Sequence, residues 1–164
     1  DEVKYLEWLL IEAIDVEAKA LCEKNVKIRF LGRLDEIEKG IRDKMLEIER
    51  STSANTGLSL QVMYNYGGRA EIADAARKIT ELSRAYGDLK IDEKLLSDNL
   101  YTAGIPDPDL LIRTGGDMRI SNFLLWQIAY SEIMVTEKYF PDFREKEFLS
   151  AIKDYSGRAR RFGR

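Results

Sequence analysis

Apolar positions recur along the chain with two different periods. Val3, Leu6, Leu9, Leu10, Ala13, Ile14, Val16 and Leu21 fall largely on one helical stripe, so residues 1–24 are expected to form a long amphipathic helix. Residues 26–31 form a β-branched and apolar run ending at Gly32, a strand candidate. Leu34, Ile37, Ile41, Met45 and Ile48 return to steps of three and four, predicting a second helix with Glu and Lys on its outer face. The polar stretch 51–57 reads as a loop, and residues 58–64 as the next strand. Asn65-Tyr66-Gly67-Gly68-Arg69 then leads into a helix over about residues 70–85, closed by Gly87. Residues 89–100 suggest a short, poorly defined helix, Ile133-Met134-Val135-Thr136 a last strand, and residues 143–160 a final helix. This alternation predicts an α/β fold, a parallel β-sheet flanked by helices, in a single domain spanning residues 1–164.

The densest chemistry lies between Pro106 and Asp142. After a Pro-Asp-Pro turn, the apolar run Asp109-Leu110-Leu111-Ile112 is too short for a helix and suits a buried strand. Arg113 and Thr114 end it, and Gly115-Gly116-Asp117 turns the chain. Arg119-Ile120-Ser121-Asn122 then opens an apolar pattern, Phe123-Leu124-Leu125-Trp126-Ile128-Ala129, expected to be helical. A strand, a glycine turn and a helix start together make an anion trap, because unpaired N–H groups and the helix dipole both favour negative charge. Two arginines and a serine at the same turn make a phosphate or diphosphate the natural guest. Read as spacing alone, the arginines are equally surface side chains paired with Asp109 or Asp117.

Composition removes several function classes. The net charge of −3 argues against general phosphate neutralisation on nucleic acid. With no histidine, Ser-His and Cys-His nucleophiles and most zinc sites are excluded. The single Cys22 cannot form an internal disulfide and reads as a small buried hydrophobe. No apolar run approaches the ~20 residues of a membrane span, so the expectation is a cytoplasmic protein with at most peripheral membrane contact. No dinucleotide fingerprint or P-loop lysine supports a nucleotide module. The chain starts without a methionine, directly in an amphipathic pattern, and is expected to be a piece of something longer.

Ile112 to Gln127, with Tyr130-Ser131-Glu132, resembles the last signature region of the cis-prenyltransferases, the undecaprenyl diphosphate synthase family. The likeness continues through Phe140-Pro141-Asp142-Phe143 to the C-terminus, and Asn65-Tyr66-Gly67-Gly68-Arg69 with Glu71-Ile72 resembles a second motif. Gly115 and Asp117 depart from the usual Ser and Glu of that region. The resemblance implies an undecaprenyl diphosphate synthase-like fold with an N-terminal strand and helix missing, and with them the motif carrying the catalytic aspartate. It implies condensation of isopentenyl diphosphate onto an allylic diphosphate, farnesyl or geranylgeranyl diphosphate, giving a long-chain polyprenyl diphosphate. Under it, Arg113, Arg119, Ile120 and Ser121 hold the diphosphate of isopentenyl diphosphate. Glu132 helps hold Mg²⁺, and Arg161 and Gly163 reach the diphosphate site of the other subunit of a homodimer. Asn65, Gly67, Gly68 and Arg69 form a wall of the cleft. Lacking the aspartate motif, the chain alone is expected to be inactive.

Each of these positions also has a plainer reading. Asn122 suits a helix cap or first turn. Gly67-Gly68 suits an ordinary turn, Glu132 a solvated carboxylate, and the Arg161-Phe162-Gly163 end a frayed basic tail. Trp8, Phe123, Trp126, Tyr130 and Tyr139 read as core or dimer interface. The alternatives to catalysis are a non-catalytic partner subunit of a heteromeric prenyltransferase and a diphosphate-binding module.

Overall fold

The computed structural model describes Glu12 and residues 16–158. Val3, Leu6, Trp8, Leu9, Leu10, Ala13 and Ile14 of the first predicted helix lie outside the described residues, as do Arg161 and Gly163. The chain divides into two compact units, Asp1–Tyr66 and Gly67–Arg164.

In the first unit, helix α1 (residues 16–23) precedes strand β1 (Lys27–Leu31), helix α2 (Lys39–Thr52) and strand β2 (Ser59–Met63). Ala18, Val26, Ile28, Phe30, Met45 and Ile48 form the buried core, with Leu21, Leu34, Ile37, Ile41, Val62 and Tyr64 packed against it. Of the first predicted stripe, Val16 and Leu21 lie within the described residues: Leu21 packs against the core, whereas Val16 is 73 % exposed. The second helix does not run unbroken from Leu34. A 3-10 turn over Leu34–Glu36 is followed by Ile37 in extended backbone, and α2 begins at Lys39. Leu34 and Ile37 still reach the core, so their helical spacing reflects burial rather than one continuous helix.

β1 and β2 pair in parallel, from Lys27↔Ser59 to Leu31↔Met63. In a parallel ladder alternate residues point their N–H groups to opposite edges. Those of Ile28 and Phe30, on the edge away from β2, are met by side chains of α2: Thr52 Oγ1 at 3.1 Å and Glu49 Oε1 at 2.7 Å. Thr52 is completely buried and also donates to Ile48 O at 3.0 Å. The helix therefore extends into what the sequence presented as loop, because its last turn closes a strand edge. Gly32, at φ 143°, ends β1 where a Cβ would stand 1.9 Å from Tyr64 O, so only glycine fits.

In the second unit, helix α3 (Gly68–Tyr86) turns Glu71, Ala75 and Ile79 inward at steps of four and stops at Gly87, φ 92°. Helix α4 (Glu93–Ser97) is capped by Asp92, whose side chain accepts from Leu95 N–H at 3.0 Å. Strands β3 (Leu110–Thr114) and β4 (Glu132–Thr136) pair in parallel, from Leu110↔Glu132 to Thr114↔Thr136. A 3-10 turn over Phe140–Asp142 leads to helix α5 (Glu145–Ser156). The parallel, helix-flanked architecture is the one expected. Among the described residues the four strands pair two by two, β1 with β2 and β3 with β4.

One expected element is absent. Among the described residues no helix lies between β3 and β4. Residues 117–131 are turns and irregular backbone, in which Ser121 (φ 51°), Asn122 (φ 63°) and Leu124 (φ 45°) are left-handed. Three such residues within four positions cannot sit in a right-handed helix, whatever the apolar spacing suggests.

Candidate functional site

The loop after β3 brings the two predicted arginines together. Arg113, the penultimate residue of β3, and Arg119, beyond the glycines, both reach the carboxylate of Asp117. Arg113 Nη2 is 3.8 Å from Asp117 Oδ2, and Arg119 Nη2 is in direct contact with the same oxygen. Arg113 Nη1 also donates to Ser121 Oγ at 3.2 Å. Arg113, Thr114, Arg119, Ile120 and Ser121 line one open cavity of about 310 Å³, floored by Leu111, Ile112 and Phe123. All four residues predicted to bind diphosphate thus face a single pocket.

The pocket is not the anion trap that the sequence suggested. With no helix after the turn there is no helix start to supply free N–H groups. The glycine amides are occupied instead: Gly115 N–H donates to Lys138 O at 2.8 Å and Gly116 N–H to Thr136 O at 2.9 Å. Their left-handed backbone (φ 88° and 77°) ties the loop to the end of β4. Positive charge therefore comes from the guanidinium groups. Arg113 Nε is buried and has no hydrogen-bond acceptor among the described residues. Leaving such a donor unmade costs about 1–3 kcal/mol.

A clamp that sequence reading missed holds the far side of the loop. Asn122 caps α3, not a helix of its own. Its main-chain oxygen accepts from Gly68 N–H at 2.7 Å, and its Oδ1 accepts from Arg69 N–H at 2.9 Å. Gly67 and Gly68 leave room for this contact. A Cβ at Gly67 would stand 2.7 Å from Asn122 Nδ2, and one at Gly68 would stand 2.8 Å from Leu125 Cγ. Five residues on, Gln127 donates to Glu71 Oε2 at 3.0 Å and to Thr102 Oγ1 at 2.8 Å. The other Glu71 oxygen accepts from Tyr101 N–H at 2.9 Å, and Glu71 is completely buried. The signals for this network were the Asn and Gln flanking the apolar run and the Glu after Gly-Gly-Arg.

The remaining predicted positions are spread out. Asn65 (φ 48°) belongs to the first unit, where its Nδ2 donates to Arg33 O at 3.0 Å and to Glu36 Oε2 at 3.4 Å. Glu132 does not end a helix. It is the first residue of β4, level with Leu110, about 10 Å along the strands from Arg113. Its carboxylate accepts from Arg158 Nη1 at 2.7 Å. Magnesium takes one or two carboxylates together with phosphate oxygens and water. Glu132 is already ion-paired away from the arginine pocket, and no group of three or more metal-ligating side chains occurs among the described residues. These residues therefore do not by themselves assemble a magnesium site. No helix among the described residues is long and apolar enough to cross a membrane.

With this geometry in hand, comparison with known proteins is decisive. The Prenyltransf family model, described as "Putative undecaprenyl diphosphate synthase", matches residues 1–163. The chain belongs to this prenyltransferase family. Among curated relatives, an isoprenyl transferase of Heliobacterium mobile is 49% identical over 99% of this chain. A ditrans,polycis-undecaprenyl-diphosphate synthase ((2E,6E)-farnesyl-diphosphate specific) of Xanthomonas axonopodis pv. citri is 48% identical over the same share. The chain spans 64% of the length of each of these prenyltransferases. Among solved structures, lavandulyl diphosphate synthase from Lavandula x intermedia, in complex with dimethylallyl diphosphate, matches with a TM-score of 0.95 and 33% identity. That match covers 99% of this chain and 72% of the synthase. The expectation that the chain is inactive is not borne out by these comparisons, and they do not favour a non-catalytic partner subunit.

Proposed function

We propose that this prenyltransferase condenses isopentenyl diphosphate onto an allylic diphosphate to give a polyprenyl diphosphate, the whole chain acting as one catalytic domain. The observation that carries the reading is the convergence of Arg113 and Arg119 with Ser121 on one pocket, where Arg113 Nε lacks an acceptor. Two planar guanidinium groups suit the paired phosphates of a diphosphate better than ammonium groups would. Ile120 lines the same pocket and completes the proposed diphosphate contacts. Gly67, Gly68 and Arg69, at the start of α3, are the proposed cleft wall on this side.

In the reaction, the allylic C–O bond breaks and its electron pair leaves with the diphosphate. The double bond of isopentenyl diphosphate supplies the electrons for the new C–C bond, and loss of a proton leaves a cis alkene. The contribution of Arg113, Arg119 and Ser121 is to fix the attacking substrate, catalysis largely by orientation. The proposal extends to a cytoplasmic homodimer in which Arg161 and Gly163 reach the partner's diphosphate, and to a magnesium requirement. The primer follows the relatives in being farnesyl diphosphate or a similar allylic diphosphate.

The test is incubation of the 164-residue chain with labelled isopentenyl diphosphate and farnesyl diphosphate, with and without Mg²⁺. Label is expected in solvent-extractable polyprenyl product, dependent on Mg²⁺. Failure to bind isopentenyl diphosphate by calorimetry, at any Mg²⁺ concentration, would remove the reading.

A further inference from the structure

The geometry points to Asn122 as a positioning residue. It clips the Arg119–Ser121 half of the diphosphate pocket to the first turn of α3, so that affinity for isopentenyl diphosphate depends on a helix cap that touches no ligand. The inference rests on the function proposed above and adds a residue outside the pocket lining.

Three observations converge on the clip. Asn122 satisfies two first-turn amides of α3, those of Gly68 and Arg69, with its main-chain and side-chain oxygens respectively. Free amides at a helix start need such acceptors, and Gly67, the residue before α3, offers no side chain to provide one. Asn122 does so from a left-handed backbone that asparagine tolerates better than most residues. Next to it, Ser121 is left-handed too, and this places its Oγ where Arg113 Nη1 donates to it. The chain of contacts thus runs from α3 through Asn122 and Ser121 to Arg113. The fit is tight on the helix side as well, because a Cβ at Gly67 would meet Asn122 Nδ2 at 2.7 Å. A displacement of about 1 Å in a group that orients substrate is enough to cost about a hundredfold in rate. The clip therefore acts on ligand affinity without contributing an atom to the pocket.

Three variants separate this role from ordinary structural damage. Asn122→Ala loses the side-chain acceptor and strains the left-handed backbone. Asn122→Asp keeps both acceptors. Gly67→Ala disturbs the contact from the α3 side and leaves the loop sequence intact. Asn122→Ala and Gly67→Ala are expected to raise the KM for isopentenyl diphosphate about tenfold or more, with the allylic KM changed less than about twofold. Amide exchange at Arg69, whose acceptor is the side-chain oxygen, should accelerate in Asn122→Ala and return towards wild type in Asn122→Asp. Merely structural damage would lower kcat through a smaller active fraction and leave both KM values alone, and that result would overturn the inference. Unchanged exchange at Arg69 would overturn it as well, with no ligand needed. If wild type itself fails to bind isopentenyl diphosphate, the proposed function falls, whereas the exchange measurement still decides whether the clip exists.

Discussion

The molecule makes the same connection twice, by opposite means. β1 and β2, and β3 and β4, are parallel pairs of five-residue strands in matched register. The first pair is joined through residues 32–58, most of them in a regular helix whose side chains close the strand edge. The second is joined through residues 115–131 without a helix, by a loop holding five of the ten positive-φ residues among the described ones. A helical crossover satisfies its own backbone and buries an apolar stripe. An irregular one must find partners for its polar groups elsewhere: here the Gly115 and Gly116 amides donate to Lys138 O and Thr136 O, and the oxygens of Asn122 accept from the first amides of α3. In exchange it projects arginine and serine side chains into one pocket, which the three left-handed residues make possible. The regular connection closes a strand edge, and the irregular one shapes the pocket proposed to bind diphosphate.

The comparison breaks if substitutions in the first connection alter ligand affinity, or if those in the second chiefly alter stability. Met45, only 1 % exposed at the centre of the first core, gives the largest expected effect. Met45→Ala should cost about 3 kcal/mol of unfolding free energy in denaturant titration. The properly folded fraction should keep its KM for isopentenyl diphosphate. Arg113→Ala should behave in the opposite way. Its kcat/KM for isopentenyl diphosphate should fall about a hundredfold, on the order of 2.7 kcal/mol, with the unfolding midpoint nearly unchanged. Arg113→Lys should recover little of this, because an ammonium keeps the charge but not the planar fork. Recovery to near wild type would mean that charge alone matters at this pocket.

How legible each connection is in the sequence follows from the same physics. Ile41, Met45 and Ile48 announce α2 because a helix that buries one face must repeat its apolar residues at its own period. Gly87 announces the end of α3 for a similarly local reason, its φ of 92°. Phe123, Leu124, Leu125 and Ile128 carry the same spacing and yet form no helix. Their burial is imposed by contacts distant in sequence, such as Leu125 against Gly68 and Gln127 on Glu71, which no local period encodes. Asn122 was visible as a capping residue, but the helix it caps begins 54 positions earlier in the chain, at Gly68. The arginines were legible for chemical reasons, since a guanidinium pair beside a glycine turn suits few guests other than a phosphorylated one. Pairing with Asp117 is one reading of the spacing and is present. That both arginines share its carboxylate, and that Arg113 also meets Ser121, depended on the backbone and could be seen only in three dimensions.

Thr52 allows a finer test. It fills no pocket, yet its hydroxyl meets the Ile28 N–H inside the first unit. Thr52→Val keeps the shape and leaves that amide buried without an acceptor, which should cost about 1–3 kcal/mol. Thr52→Ser should restore most of the loss. Should Thr52→Val prove as stable as wild type, the edge-closing role given to α2 would be wrong, and with it half of the contrast between the two connections.

The smallest effect concerns α5, a regular helix in the same unit as the irregular loop. Glu147 sits in its first turn, where its carboxylate accepts from its own N–H and from Arg144 N–H, the latter at 3.1 Å. These backbone bonds, more than any nearby lysine, hold its pKa below the usual glutamate value of 4.5. A depressed folded-state pKa fixes the sign. The contribution is fully present above the unfolded carboxyl range and is lost as pH falls through the lower, folded value. Acidification through that lowered value should therefore fray the start of α5, seen as faster amide exchange at Arg144 and Glu147. Glu147→Gln should already show the faster exchange at neutral pH and lose its dependence on acid. Throughout that titration the exchange of Gly68 and Arg69 should not respond to the α5 cap, because Asn122 holds those amides with a neutral side chain and a main-chain oxygen. Common loss of protection at both helix starts, abolished together by Glu147→Gln, would show that the loop borrows its order from α5 rather than from its own clip.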